Sequence, residues 1–198
     1  MTVKEKKQRK KQECLQMGSA WYDRRYAAKK GESYVPYFSL YDTILSRIGP
    51  DESILDLGCG VGMFAERAVA QGKMYLFGVD YSIEAVTQAS ERVLDAAFLC
   101  TDLGSYDIPK GVGVVVLVEV LEHLQDDLGM LSRLPEGMRV IFSVPDFDCV
   151  SHVRYFPSQE EAVRRYQPVI SILSVSPVPL SPTATVWLLD GVRRSPVG

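Results

Sequence analysis

The apolar run SILDL, residues 53–57, delivers straight into glycines at alternate positions, Gly58, Gly60 and Gly62. A helical pattern follows, GMFAERAVAQG, with apolar residues recurring on one face. A strand that empties into a glycine turn and then a helix is one half of a strand–helix–strand unit. Such a unit puts its next strand parallel to the first.

That expectation repeats along the chain. MYLFGVD reads as a second strand and SIEAVTQASERVLDA as a helix, with Ser82 as N-cap and Ile83, Val86, Ala89 and Val93 on one face. AFLCTD is a third strand, VGVVVLVEV a fourth, DDLGMLSRL a helix closed by the turn PEG, and MRVIFSVP a fifth strand. Strands apolar throughout, rather than alternating, belong to a sheet covered on both faces. The tail differs: PVISILSV and ATVWLLDGV are strand-like runs joined by the proline-rich SPVPLSP, without a helix between them. They predict an antiparallel hairpin at a sheet edge. The fold class is therefore α/β: a doubly wound, mostly parallel seven-stranded sheet with a C-terminal antiparallel hairpin and an N-terminal helical layer. Residues 1–49 form a basic arm and an aromatic helical layer capping the domain whose core is 50–198.

Composition narrows the setting. With 198 residues, 46% hydrophobic and 24% charged, the chain suits one globular domain. Residues 1–30 hold ten Lys or Arg against Glu5, Glu13 and Asp23, so this segment is +7 and the remainder −10. Such an arm suits either solvent or an anionic surface such as nucleic acid. Cys14, Cys59, Cys100 and Cys149 show no paired spacing, which argues against a disulfide or zinc framework and for a reducing cytoplasm. No secretory leader or membrane span is expected, since the longest apolar stretch, Val112–Val118, is far too short.

In a doubly wound sheet, ligands sit beyond the carboxyl ends of the strands where strand order reverses. Gly58, Gly60 and Gly62 let a ligand lie against bare backbone before a helix N-terminus. A dinucleotide fingerprint needs its third glycine one place later, where Met63 stands. Asp56, two residues before the first glycine, would repel a pyrophosphate but suit a ligand carrying an ammonium group. Asp80, ending the second strand, is placed to accept ribose hydroxyls. Asp102 follows the third strand, with Leu103 beside it to face an adenine ring.

These residues resemble those of the class I S-adenosylmethionine-dependent methyltransferases from about residue 50 onward. ILDLGCGVG is similar to the first motif of that family, FGVDYS to the second, CTDL to the third, and VVLVEVLEHL to the segment after the fourth strand. The resemblance implies S-adenosyl-L-methionine as cofactor, with S-adenosyl-L-homocysteine as product. It assigns Gly58, Cys59 and Gly60 to the methionine part, Asp80 to the ribose and Tyr81 to the adenosine. The sulfonium already makes the methyl group electrophilic, so the protein's main task is alignment.

VEVLEHL brings Glu119, Glu122 and His123 together at the end of the fourth strand. It looks most like the segment of ubiquinone-biosynthesis O-methyltransferases. It also resembles the E-x-x-E-H element of small-RNA 2'-O-methyltransferases, where carboxylates and histidine hold a divalent metal. The other histidine, His152, follows strand five and is expected to face His123. Two chemistries stay open: a metal held by Glu119, Glu122, His123 and His152, or His123, His152 and Glu122 serving the acceptor directly, with Glu119 turned to the cofactor. Of these, the second is preferred. Arg154 is a candidate clamp for a carboxylate or phosphate on the acceptor, or equally a surface ion pair. The aromatic residues Trp21, Tyr26, Tyr34 and Tyr37 are candidates for a lid, with packing against the sheet the simpler role for most of them.

The expected function is methyl transfer to an oxygen of a small or medium-sized metabolite, by a monomer or homodimer. DNA amino-methylation is disfavoured, because no N/D-P-P-Y/F segment follows strand four. The rivals are a metal-assisted RNA hydroxyl methyltransferase and a module that binds the cofactor without turnover. A nicotinamide oxidoreductase is a remote third.

Overall fold

The structure is a computed structural model, and it describes residues 16–28 and 35–195. The basic arm before residue 16, Cys14 and Tyr34 lie outside the described residues. Among the described residues two helices come first, α1 (Ser19–Ala28) and α2 (Phe38–Arg47), the second entered through a 3₁₀ turn at Val35–Tyr37. Then β1 (Ile54–Leu57), α3 (Met63–Ala70), β2 (Tyr75–Asp80), α4 (Ile83–Arg92) and β3 (Ala97–Cys100) follow. The second half comprises β4 (Val114–Leu117), α5 (Asp127–Ser132), β5 (Arg139–Pro145), α6 (Gln159–Tyr166), β6 (Ile170–Ser181) and β7 (Ala184–Arg193).

The strands form one seven-stranded sheet in the order β3-β2-β1-β4-β5-β7-β6. The first five pair in parallel, while β7 runs antiparallel to both β5 and β6. Order reverses between β1 and β4, so a crevice opens where their carboxyl ends part.

The unbroken apolar runs have a direct cause. Side chains alternate between faces along a strand, and each face of this sheet has its own core. Leu55, Leu57, Val115, Leu117, Val140 and Phe142 face α5 and α6, packing with Leu131 and Tyr166. Ile54, Val114, Val116 and Ile141 point the other way, against Leu40 and Ile44 of α2 and Phe64 and Ala68 of α3. At 25 cal/mol per Å², burying one such Leu or Ile contributes about 1.5–3 kcal/mol, so both faces stabilise the fold.

Three expectations need correction. SPVPLSP is not a linker, because β6 continues through it to Ser181 and the turn is confined to Pro182 and Thr183. β6 is an edge strand, bonded only to β7. Pro177 and Pro179, two apart, therefore place both missing N–H groups on one side of a strand that has an unpartnered side. The fourth strand ends at Leu117, short of the expected Val120, and the segment after it makes a 3₁₀ turn at Leu121–His123 before the helix at Asp127. Finally, α6 was not foreseen, although Ser158 caps it by accepting from the Glu161 amide at 3.3 Å, the spacing of an S-x-x-E helix start.

Candidate active site

The glycine turn is tied to the neighbouring strand by two amides. Gly58 and Cys59 both donate to the Val79 carbonyl, at 2.7 and 3.0 Å. This draws the chain into left-handed backbone, with φ of +82° at Gly58. A Cβ there would lie 2.3 Å from Cγ2 of Val120, so the position excludes any side chain. At Gly60 a Cβ would lie 3.3 Å from the hydroxyl of Tyr26, reaching across the gap between the turn and α1.

Asp80 closes the turn from the end of β2. Its carboxylate accepts from the Gly60 amide at 3.0 Å and the Ser82 amide at 2.9 Å. Burial raises its pKa, and these amides oppose the rise. Asp56 is buried on β1 and accepts from the Tyr75 hydroxyl at 2.9 Å. Burial pushes its pKa up to about 7, the Tyr75 bond opposing and the Asp80 charge adding.

Two cavities flank the turn. A small one, about 90 Å³, lies between Gly58, Asp80, Tyr81, Asp102, Leu103 and Val120. A larger one, about 390 Å³, reaches Asp56, Cys59, Gly60, Glu122, Phe147 and His152. Tyr22, Tyr26, Gly58, Glu119 and His123 line both. Of the expected cofactor residues, Gly62 alone lines neither; it is buried, and caps α3 instead.

Glu119 departs from sequence expectation in its backbone. It follows β4 rather than ending it, and its φ of 55° is the only positive value outside glycine among the described residues. Ser143 of β5 holds it there, its hydroxyl accepting the Glu119 amide at 3.0 Å and donating to Oε1 at 2.9 Å. Enclosure by protein raises the Glu119 carboxyl to about 7, against the hydrogen bond from Ser143.

The two histidines meet as expected, with ring centroids 5.0 Å apart and planes at 65°. His123 Nδ1 lies 2.9 Å from the Ser151 carbonyl, and His152 Nδ1 lies 3.2 Å from the Phe147 carbonyl. A carbonyl only accepts, so each imidazole carries a proton on Nδ1. Burial lowers the His152 pKa, but its hydrogen bond to Cys149 outweighs that and holds it above the usual value. His123 Nε2 is 3.6 Å from Oε1 of Glu122. Glu122 has no exposed surface, and neither of its carboxylate oxygens has a hydrogen-bond partner. Burial, followed by the Glu119 charge, raises its pKa well above the usual range. Burial lowers His123 to about 4, so it is neutral at physiological pH.

Of the two roles open to Arg154, the structure gives the ion pair, and the residue lines neither cavity. Its guanidinium donates to the carbonyls of Leu121, Leu124 and Gln125 and lies 3.2 Å from Asp127. It shapes the turn carrying Glu122 and His123. Of the aromatic layer, Tyr22 and Tyr26 line both cavities and Tyr37 the larger, whereas Trp21 packs against Tyr22 and Arg25. Sequence reasoning missed Ser143, Val120 and Cys149 as wall or support residues. No local pattern marks a serine in mid-strand whose partner lies on the neighbouring strand.

The family model described as a methyltransferase domain matches residues 54–139, which run from β1 to the start of β5. Trans-aconitate 2-methyltransferase of Afipia carboxidovorans is 32% identical over 88 residues, 43% of this chain and 34% of that protein. The chain thus spans about a third of the length of the curated relatives it matches. Among solved structures, the N-methyltransferase NodS from Bradyrhizobium japonicum WM9, in complex with S-adenosyl-L-homocysteine, gives a TM-score of 0.64 at 16% identity, covering 88% of this chain and 99% of that one. The Burkholderia thailandensis 1,6-didemethyltoxoflavin-N1-methyltransferase gives 0.72 at 16% identity, covering 89% and 87%. Residues 54–139 thus match a methyltransferase domain, and the seven-stranded fold is one that the chain shares with solved methyltransferases.

Proposed function

We propose that the chain binds S-adenosylmethionine in the smaller cavity and along the glycine turn, and transfers its methyl group to an oxygen of a small or medium-sized metabolite in the larger cavity. One observation carries this reading: the cavities share a wall of Gly58, Glu119, His123, Tyr22 and Tyr26, where a methyl donor and its acceptor could meet.

The residues fit the cofactor. Bare backbone at Gly58 and Gly60 admits the methionine part where side chains would fill the space. The two oxygens of Asp80 offer about four lone-pair sites, so beyond the amides already bound they retain acceptor capacity for a ribose hydroxyl. Tyr81, Asp102 and Leu103 flank the adenosine, while Asp56 and Glu119 balance the positive charge of the amino and sulfonium groups. Cys59 supports the turn from beneath, and Gly62 starts the helix behind it. Tyr22 has a buried hydroxyl without a partner at the shared wall, a polar group to meet a ligand.

The bound cofactor supplies an electrophilic methyl group. The protein positions the acceptor oxygen in line with it and keeps water out, which can lower the barrier by roughly 7–11 kcal/mol. Glu122, His123 and His152 face the acceptor and handle its hydroxyl proton. Residues 16–28 and 35–47 act as a cap of the same domain rather than as a second one.

The test is incubation with methyl-labelled cofactor and host extract, with label followed into small-molecule, nucleic-acid and protein fractions. Label in a small molecule, stable as an ether or ester, supports the reading. Label on nitrogen or in RNA overturns the acceptor assignment. Tight cofactor binding with no label anywhere overturns transfer itself.

A further inference from the structure

The three free cysteines among the described residues hold their sulfurs in two opposite ways. Cys59 and Cys100 donate S–H to backbone carbonyls, of Gly60 and Tyr81, each at 3.7 Å. Both contacts keep the proton on sulfur. Burial raises both thiols further, with the Asp56 and Asp80 charges adding at Cys59, and those of Asp80 and Asp23 at Cys100. Thiols held this way react slowly.

Cys149, in the loop after β5, is built the other way round. The His152 amide donates to the Cys149 carbonyl at 3.1 Å, closing a turn that brings the two residues together. Within it the sulfur accepts from the His152 imidazole and the Ser151 amide, and the Ser151 hydroxyl lies 3.3 Å away. Burial alone would raise this thiol, but these bonds outweigh it and bring the pKa down to about 7. The Phe147 carbonyl, 3.2 Å from Nδ1, steadies the ring. The thiol proton can therefore rest on the imidazole, which leaves a nucleophilic sulfur on an exposed residue.

The space beside this sulfur holds one unmet polar group. Cys149 lines the larger cavity together with Glu119, Glu122, His123 and His152. Glu119 is engaged by Ser143, His123 by the Ser151 carbonyl, and nearby Asp146 by the Thr185 amide. Glu122 is not: it has no exposed surface, and both its carboxylate oxygens lack a hydrogen-bond partner. Burial keeps it protonated at neutral pH, so it does not repel the thiolate and can both donate and accept. A polar group placed between sulfur and carboxyl would satisfy it.

We propose that Cys149, activated by His152, is a covalent attachment site for a small polar disulfide, whose transferred half sits in the larger cavity with its polar end on Glu122. The Cys149 sulfur attacks one sulfur of that disulfide, and the new S–S bond forms as the old one breaks. The electron pair leaves with the other half, which takes up the proton held by His152 and departs as a thiol. One thiol and one disulfide thus give one mixed disulfide and one thiol, with no further oxidant. The attached group occupies the space where the acceptor is proposed to sit, but attachment does not depend on methyl transfer.

The test uses the full chain without cofactor or acceptor. Bis(2-hydroxyethyl) disulfide is the probe, and each cysteine is followed by peptide mass mapping. At pH 7 Cys149 should react about fivefold or more faster than Cys100, since the thiolate gained outweighs the nucleophilicity lost at lower pKa. Its rate should rise through a midpoint at about pH 7. His152→Gln should move that midpoint up by about one unit or more, toward an ordinary thiol at about 8.5. Cys59 should stay unreactive in both proteins, as it does while the fold is intact. If it reacts in the variant, the unaltered chain decides alone, and a midpoint above about 8 overturns the activation. At exchange equilibrium the hydroxyethyl arm should be retained about fivefold better than the ethyl arm of diethyl disulfide, as one hydrogen bond provides. Glu122→Leu should erase that preference. Equal rates at Cys149 and Cys100, or a midpoint that folded His152→Gln leaves in place, overturn the activation. An ethyl arm retained as well as the hydroxyethyl arm, or a preference that survives Glu122→Leu, overturns the seat on Glu122.

Discussion

Ser143 holds Glu119 twice, once at the amide and once at the carboxylate, and so keeps a glutamate in left-handed backbone. Ser143 has no exposed surface, so no water replaces it easily. Ser143→Ala leaves the Glu119 amide unsatisfied and should cost about 1–3 kcal/mol of stability. Cofactor affinity should fall about tenfold as Glu119 leaves the shared wall. Denaturant unfolding and calorimetry measure the two effects, and unchanged affinity would remove Glu119 from the cofactor site.

Gly58 and Val120 form a second such pair. Gly58→Ala introduces both a positive-φ penalty, about 1–2 kcal/mol, and a Cβ at 2.3 Å from Val120. Adding Val120→Ala should relieve the collision but not the backbone penalty. A double-mutant cycle should therefore recover part of the lost stability and leave cofactor binding impaired.

The acids around the turn predict an opposite pH response for the empty and the loaded protein. Asp56 in the fold titrates at about 7, above its ordinary 3.8. Its protonated form thus supports folding, a contribution complete below about pH 4 and lost as pH rises through 7. Glu119, also raised to about 7, acts in the same direction. The melting temperature of the empty protein should decline across that window. Affinity for the cationic cofactor should instead rise, since the carboxylates that meet it become charged. Asp56→Asn should flatten both curves; a melting profile without slope in the unaltered chain would contradict the assignment.

Asp127 is fully buried between Arg165 at 2.6 Å and Arg154 at 3.2 Å. Removing one partner of a buried ion pair leaves uncompensated charge, so Asp127→Ala should destabilise by about 3–5 kcal/mol. Because Arg154 also grips the Glu122 turn, the substitution should disturb activity more than Arg165→Ala does. Unfolding curves and turnover of both variants test that ranking.

Much of this was legible in the sequence, and for particular reasons. Ile54, Leu55, Val114 and Val115 announce a two-sided sheet because alternate side chains all enter apolar cores. Gly58, Asp56 and Asp80 announce a crevice because each sits at or near the end of a parallel strand. His123 and His152 could be paired because strands four and five were expected to be neighbours. The Ser143–Glu119 clamp was hidden, since it links residues 24 positions apart through a strand register that the sequence does not print. Pro177 and Pro179 misled for a local reason: proline marks a break unless the strand is known to lie at an edge. Arg154 could not be assigned because its charge suits a ligand as well as an ion pair, and only the structure sends its donors to backbone carbonyls.

Helix α1 joins the body through polar contacts, the Ser82 hydroxyl donating to Asp23 at 2.6 Å and the Gln88 amide to the Tyr26 carbonyl at 3.2 Å, and through the Tyr22 ring against Tyr81 and His123. None of its residues is buried, yet its Tyr22 and Tyr26 wall both cavities. If donor and acceptor occupy the two cavities as proposed, whichever arrives first settles a surface that the other must use. Such coupling is reciprocal: if the cofactor tightens acceptor binding by some factor, the acceptor must tighten cofactor binding by the same one. Loss of the tether through Asp23→Ala would then show less in either affinity alone than in the factor that links them.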